Sequence, residues 1–263
     1  SFDETVYMLQ LPTDSEQFLI KGLQILEDWA HNVSFDTVEI NKERGVVVEE
    51  WRLGQGAQER MRRQYWPVLF KDSRYAVRLP IGKKEIIEGS SYNTITSFYN
   101  TWYRPDLQAI LVVGDIDVDK VEAMIKKEFS EIPKRSNVRS IKKWEVPDHK
   151  EMLVATARDK ETPYSIVQLY YKLPAEKVVT EGEYRRSIVE ALYNGMINSR
   201  LSELQKQANP PFVFAFSGKS GMVRTKDAYQ SFAVTKEDGI ETGIKTLVTE
   251  NERVKKFGFT SGE

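Results

Sequence analysis

Glu43-Arg44-Gly45-Val46-Val47-Val48-Glu49-Glu50 lies within a longer stretch, residues 36–53, that reads as a helix. Glu43 and Glu50 are seven residues apart, so two helical turns return them to nearly the same direction. Ile40 and Val47 share that stripe, and a stripe carrying Ile and Val is expected to face a core. A carboxylate placed there without a partner is costly. It needs a cation, a network of donors or a metal. Arg44, Arg52, Arg60, Arg62 and Arg63 are close enough in sequence to serve as cations, so the residues alone leave ion pairing and metal binding both open.

Working outward, Asp36 with Glu39 has the pattern of a helix N-terminus, and Gly54 and Gly56 mark its end. Thr13-Asp14-Ser15-Glu16 has the spacing of a capping box and opens an earlier helix that ends near His31. Helical periodicity also marks residues 57–66, 84–88, 92–102, 117–129, 181–207 and 239–257. Strands are expected at residues 6–11, 107–113, 152–157, 165–173, 212–218 and 229–234. Strands and helices mix without strict alternation. This predicts an α+β fold of two similar domains, each a mostly antiparallel sheet with helices packed on one face, and both incomplete.

The polar, basic stretch 135–148, with Arg135, Arg139, Lys142 and Lys143, reads as a solvated connector. It divides the chain into 1–134 and 149–263. Thr260 and Glu263 have the spacing of another capping box at the last residues, while a strand begins near residue 6, so the chain reads as a piece of a longer protein.

Composition narrows the function. The 263 residues carry 38 Lys and Arg against 39 Asp and Glu, a net charge of −1, so no global charge points to nucleic acid. No apolar run approaches the roughly 18 residues of a membrane span, and the first residues do not read as a signal peptide. With no cysteine, thiolate metal sites and cysteine nucleophiles are excluded. Asp115-Ile116-Asp117-Val118-Asp119 begins like a calcium loop but has Lys120 where glycine is required, so it reads as a turn and helix cap. Gly218-Lys219-Ser220 resembles the end of a phosphate loop but lacks the earlier glycine, since Val213 stands there; it reads as a hairpin-like connection. His31 and His149 are far apart and neither has a second histidine at i,i+4 spacing.

The paired glutamates on a valine-rich helix resemble the second metal segment of the insulinase/pitrilysin family of zinc metallopeptidases, which includes the mitochondrial processing peptidases. That family carries an inverted motif, His-x-x-Glu-His, upstream of a glutamate that completes the site. Three further stretches fit in the family's order. Residues 1–7 resemble the continuation of an edge strand, and Tyr103-Arg104-Pro105-Asp106 with 111–115 resembles a helix-to-strand passage. Asn198-Ser199-Arg200-Leu201 resembles a segment of the family's second domain.

The resemblance implies a zinc endopeptidase acting on peptides, with Glu50 as a zinc ligand and Glu43 supporting it from one helical repeat earlier. His-x-x-Glu-His is absent from this sequence. The chain is therefore expected to be a fragment inactive by itself, without tight zinc binding, or else part of a non-catalytic binding or assembly subunit. Its expected partners are a peptide laid along a sheet edge, the remaining domains of a parent chain, and a second copy through self-association. Nucleic acid is not among them. A bacterial periplasm or envelope is the compartment the resemblance implies, with the cytoplasm as the alternative.

Overall fold

The structure is a computed structural model describing residues 1–134 and 138–263. Among the described residues are eight α-helices and three β-strands. In chain order they are α1 (Glu16–His31), α2 (Thr37–Leu53), α3 (Ala57–Leu69), α4 (Lys84–Gly89), α5 (Tyr92–Trp102), α6 (Val118–Phe129), β1 (Ser165–Pro174), α7 (Glu181–Gln205), β2 (Phe214–Val223), β3 (Lys226–Thr235) and α8 (Ile240–Phe257). The α+β class is as expected. The likeness between two sheet-containing halves is not shown, because all three strands belong to one sheet. Residues 135–137 of the connector, Arg135 included, lie outside the described residues.

The chain divides into two compact units. The first comprises Asp3–Gly54 and Pro80–Lys142, with Ser1. It holds α1, α2, α4, α5 and α6 around buried Leu23, Tyr99, Val121 and Ile132. Aromatic rings converge here: Tyr99 stacks on Tyr103 at 4.3 Å, and its hydroxyl donates to the Trp29 carbonyl at 2.8 Å. Tyr7 meets both Trp29 and Tyr103, and partial burial together with the Tyr103 hydroxyl raises its pKa. Arg104 is buried and bonds Asp106, so the Tyr103–Asp106 passage is fixed by its own side chains. Lys120 of α6 pairs with Glu16 of α1 at 2.6 Å.

The second unit comprises Phe2, Gln55–Leu79 and Lys143–Glu263. Its sheet has the order β1-β3-β2 and is antiparallel throughout. Val167, Ala233 and Ala215 stand in register across the three strands. They pack with Phe212, Leu201 of α7 and Leu247 of α8 in one cluster, so both long helices cover the same face. A second cluster joins Phe70, Tyr75 and Val146 with Phe2, Trp66 and Trp144. Helix α3 runs through Pro67 to Leu69, beyond its expected end, since Trp66 and Phe70 are held in this cluster and Trp66 Nε1 donates to the Tyr75 carbonyl at 2.8 Å.

β2 is an edge strand whose outward backbone is paired by side chains. Asn198 donates to Ser217 O at 2.8 Å and accepts from Ser217 N at 3.0 Å. Asn194, one turn earlier on α7, makes the same reciprocal pair with Lys219 at 3.1 Å in both directions. Two asparagines at i,i+4 thus stand in for a neighbouring strand and block that edge.

Several local expectations are corrected. Residues 6–11, 107–113 and 152–157 are not strands, because no neighbouring strand among the described residues pairs with them. Tyr7 and Leu11 lie instead against α1, at Trp29 and Gly22, while Val113 is 94% exposed. Gly218-Lys219-Ser220 lies inside β2, and the hairpin turn is Arg224-Thr225. α1 begins after Ser15 with no side-chain cap, so the expected Thr13–Glu16 box does not form. The box that does form is at α7, where Thr180 and Glu183 cap each other. Asp117, from the calcium-like stretch, caps α6 by accepting from Lys120 N at 3.0 Å.

Candidate functional site

α2 is held at its start and along one side. Asp36 Oδ1 accepts from Val38 N at 2.7 Å and Glu39 N at 3.2 Å, filling two of the donors that every helix leaves free. Phe35, just before this cap, has a left-handed backbone with φ of 54°, and its ring sits edge-on against Tyr99 at 5.1 Å. That ring contact offsets the strain of the conformation.

The sideways anchor is Arg44. Its guanidinium donates at 2.8 Å to the carbonyls of Ile87 and Glu88 and also to that of Ser90, so it caps the C-terminal end of α4. It also lies 5.7 Å from the Tyr92 ring centre, while Asn41 bonds the Tyr92 hydroxyl at 2.9 Å. Asn41 and Arg44 therefore fix α2 against α4 and the start of α5.

Glu43 and Glu50 point elsewhere. The expected burial of their stripe is overturned: α2 buries no residue fully, Ile40, Val47 and Val48 are half-buried, and both glutamates are exposed. The physical reason is angular. At about 100° per residue, Glu43 and Glu50 lie some 40–60° round the helix from Val47, on the side away from Arg44. Exposure removes the cost that a buried carboxylate would carry. The pairing with arginine that the sequence left open does not occur among the described residues either. Glu39 takes Lys42 at 2.6 Å and Glu49 takes Arg52 at 2.8 Å, whereas among the described residues no ion pair involves Glu43 or Glu50.

The exposed side of α2 carries a shallow open groove lined by Lys42, Gly45, Val46, Glu49, Glu50 and Leu53. A side chain on Gly45 would meet nothing within 4 Å. A glycine inside a helix costs roughly 1 kcal/mol relative to alanine, and no packing within the described residues requires one here.

Among the described residues no group of three or more His, Cys, Asp or Glu could hold a metal ion. His31 closes α1, and His149 in the other unit shares a hydrogen bond between Nδ1 and the Glu151 carbonyl at 2.7 Å. Reading the sequence alone missed the roles of Arg44 and Asn198. Arg44 does occupy the inward face one turn after Ile40, a position where a cation needs acceptors, and that was the available signal.

Residues 90–262 match the family described as the peptidase M16 inactive domain. The chain belongs to this family. Glu43 and Glu50 lie outside the matched residues. Two relatives are a zinc protease PQQL-like protein of Arabidopsis thaliana and the probable zinc protease PqqL of Escherichia coli. The first is 32% identical over 80% of this chain and 22% of its own length. The second is 29% identical over 100% of this chain and 28% of its own. The chain thus spans roughly a fifth to three tenths of the relatives it matches. The crystal structure of the periplasmic protease PqqL from Escherichia coli has the same fold over 95% of this chain and 28% of that one, with a TM-score of 0.73 and 24% identity. A crystal structure of the first half of that protease matches equally well, over 54% of its length. No helix among the described residues is long and apolar enough to cross a membrane.

Proposed function

We propose that this chain is a section of a zinc-dependent endopeptidase, to which α2 supplies one zinc ligand, Glu50, and one supporting carboxylate, Glu43. One observation carries the reading. Two exposed carboxylates, without an ion pair among the described residues, stand one helical repeat apart on a helix whose other side is fixed by Asn41 and Arg44, in a chain similar to proteins named zinc proteases. The open space over Gly45 supports it, since another part of a longer protein can approach the helix closely there.

The described residues do not by themselves fit a zinc ion, because zinc sites take three or four protein ligands and no such group exists among them. No catalytic step is therefore assigned to this chain. Its share is to hold Glu50 at a fixed place and orientation.

In the same reading, residues 1–134 close one peptidase-like domain, 135–148 connect, and 149–263 open a second. The substrate is a peptide added along a sheet edge. The outer edge of β2 is closed to it by Asn194 and Asn198. The compartment is the bacterial periplasm or envelope. That reading rests on the periplasmic protease whose fold the chain shares, and fractionation of cells would separate it from the cytoplasmic alternative.

The test is zinc content and peptide cleavage of the longer parent protein. Glu50→Gln is expected to lose bound zinc and activity together. Glu43→Gln is expected to keep the fold and weaken zinc binding about 10–100-fold, as is usual for groups that orient a ligand. Zinc and cleavage unchanged in Glu50→Gln would remove the assignment. This chain alone is expected to show no zinc-dependent cleavage. A second reading, a non-catalytic binding or assembly subunit, is favoured by the description of the matched family as an inactive domain. It predicts that the parent protein holds no zinc at all.

A further inference from the structure

Arg44 stands in the middle of the side of α2 that faces inward. That side consists of Ile40, Arg44, Val47, Val48 and Trp51, which lie within about 100° of arc and are all half-buried. Arg44 is its one charged member. Helix α2 buries no residue fully, and among the helices and strands of the described residues it packs chiefly on α4, which is only six residues long. Apolar burial stabilises in proportion to the area removed from water, so it holds α2 weakly. Polar bonds must decide where the helix sits.

The guanidinium supplies those bonds. Its two terminal nitrogens reach three carbonyls at the end of α4, those of Ile87, Glu88 and Ser90, which a helix end leaves short of donors. Arg44 Nε is buried and makes no hydrogen bond among the described residues, so the group is out of water and its charge is met by these carbonyls and the Tyr92 ring. A lysine could not reproduce the arrangement, because an ammonium is a point donor and the carbonyls are spread to match a planar fork.

We infer that Arg44 is a positioning residue: locked to the carbonyl end of α4, it sets where α2 presents the Glu43 and Glu50 carboxylates. Its functional meaning rests on the reading of Glu50 given above. Glu50 lies six residues beyond Arg44. That is about 9 Å along the axis, so a tilt of about 10° around the anchor moves its backbone by roughly 1.5 Å. A misplacement of that order is enough to spoil a ligand or a reacting group. A shift of α4 is carried to the carboxylates through the same bonds.

The chain has no cysteine, so pairs of spin labels can be introduced without removing any native thiol. Labels at Glu50→Cys on α2 and Ser97→Cys on α5 report where the carboxylate end of α2 sits, by pulsed electron paramagnetic resonance. With Arg44 in place a single narrow distance peak is expected. Arg44→Met is expected to lose that peak to a broad distribution. Arg44→Lys keeps the charge and the helix but not the fork, and is expected to lose it in part. A control pair, Gln24→Cys on α1 with Ser97→Cys, is expected to stay narrow, since the rest of the unit remains folded. Tyr92→Phe removes the Asn41 bond while leaving Arg44 and the ring, and is expected to keep the narrow peak.

A peak that stays narrow in both Arg44 variants would overturn the inference. So would a Tyr92→Phe peak as broad as that of Arg44→Met, or a control pair that broadens together with the α2 pair in Arg44→Lys, which would make Arg44 a general support of the fold. These distances do not depend on zinc. A failed lock is thus told apart from a failed ligand assignment, which Glu50→Gln reads separately in the parent protein.

Discussion

Single residues hold together places that the chain's local pattern leaves open. Asn198 satisfies both backbone groups of Ser217 on an edge strand, so Asn198→Leu strands a donor and an acceptor. It is expected to lower stability in urea unfolding by about 1–3 kcal/mol and to promote edge-to-edge aggregation. Two carboxylates make the chain sensitive to acid. Arg200 holds the Glu263 carboxyl at about 2, helped by the Thr260 amide, and Arg60 with the Glu161 amide holds Asp159 at about 2. Their ordinary values are 4.5 and 3.8, so the native state binds these protons less readily than the unfolded one. The stability they contribute is present above those ordinary values and is lost as pH falls through about 2. Thermal unfolding is expected to shift downward across that window, and Arg200→Met to flatten the shift. Arg44 was legible as a candidate partner for Glu43 or Glu50. What the sequence could not give was its true acceptors, the carbonyls ending α4 some 43 residues away.

At the scale of elements, the helices were legible but only half of the expected strands: 165–173, 212–218 and 229–234 correspond to β1, β2 and β3, while 6–11, 107–113 and 152–157 do not form. α5 falls at its expected bounds and α2, α6, α7 and α8 within two residues of theirs, because caps and apolar periodicity are local properties. Strands depend on a partner. Residues 6–11 and 165–173 share the same apolar and β-branched character, yet only the second finds a ladder, with β3. Close packing between elements is equally non-local: a side chain on Gly243 of α8 would lie 2.7 Å from Thr235 Cγ2 on β3. Gly243→Val is expected to push α8 off the sheet and cost about 1–3 kcal/mol in chemical denaturation. Thr180→Ala removes the reciprocal cap of α7 and is expected to cost about 1 kcal/mol in the same measurement.

At the scale of the whole molecule, the sheet and its two covering helices carry the larger core. Leu247→Ala is expected to destabilise the chain by about 2–5 kcal/mol, since Leu247 is wholly buried where both helices meet the sheet. Hydrogen exchange should report the contrast between segments. Amides in residues 6–11 and 108–113 lack ladder partners among the described residues and are expected to exchange fast, while those of β3, paired on both sides, exchange last. Slow exchange in residues 6–11 would show a partner strand contributed by association. The sequence by itself determined the α+β class, most helix bounds, the seven-residue repeat of Glu43 and Glu50, and the family resemblance, all of which rest on spacing along the chain. Only the tertiary structure decided that those glutamates are exposed, with no ion pair among the described residues, that Arg44 anchors their helix, and that asparagines close the sheet edge. Each of these depends on which distant backbone arrives beside a side chain, and spacing along the sequence does not encode that.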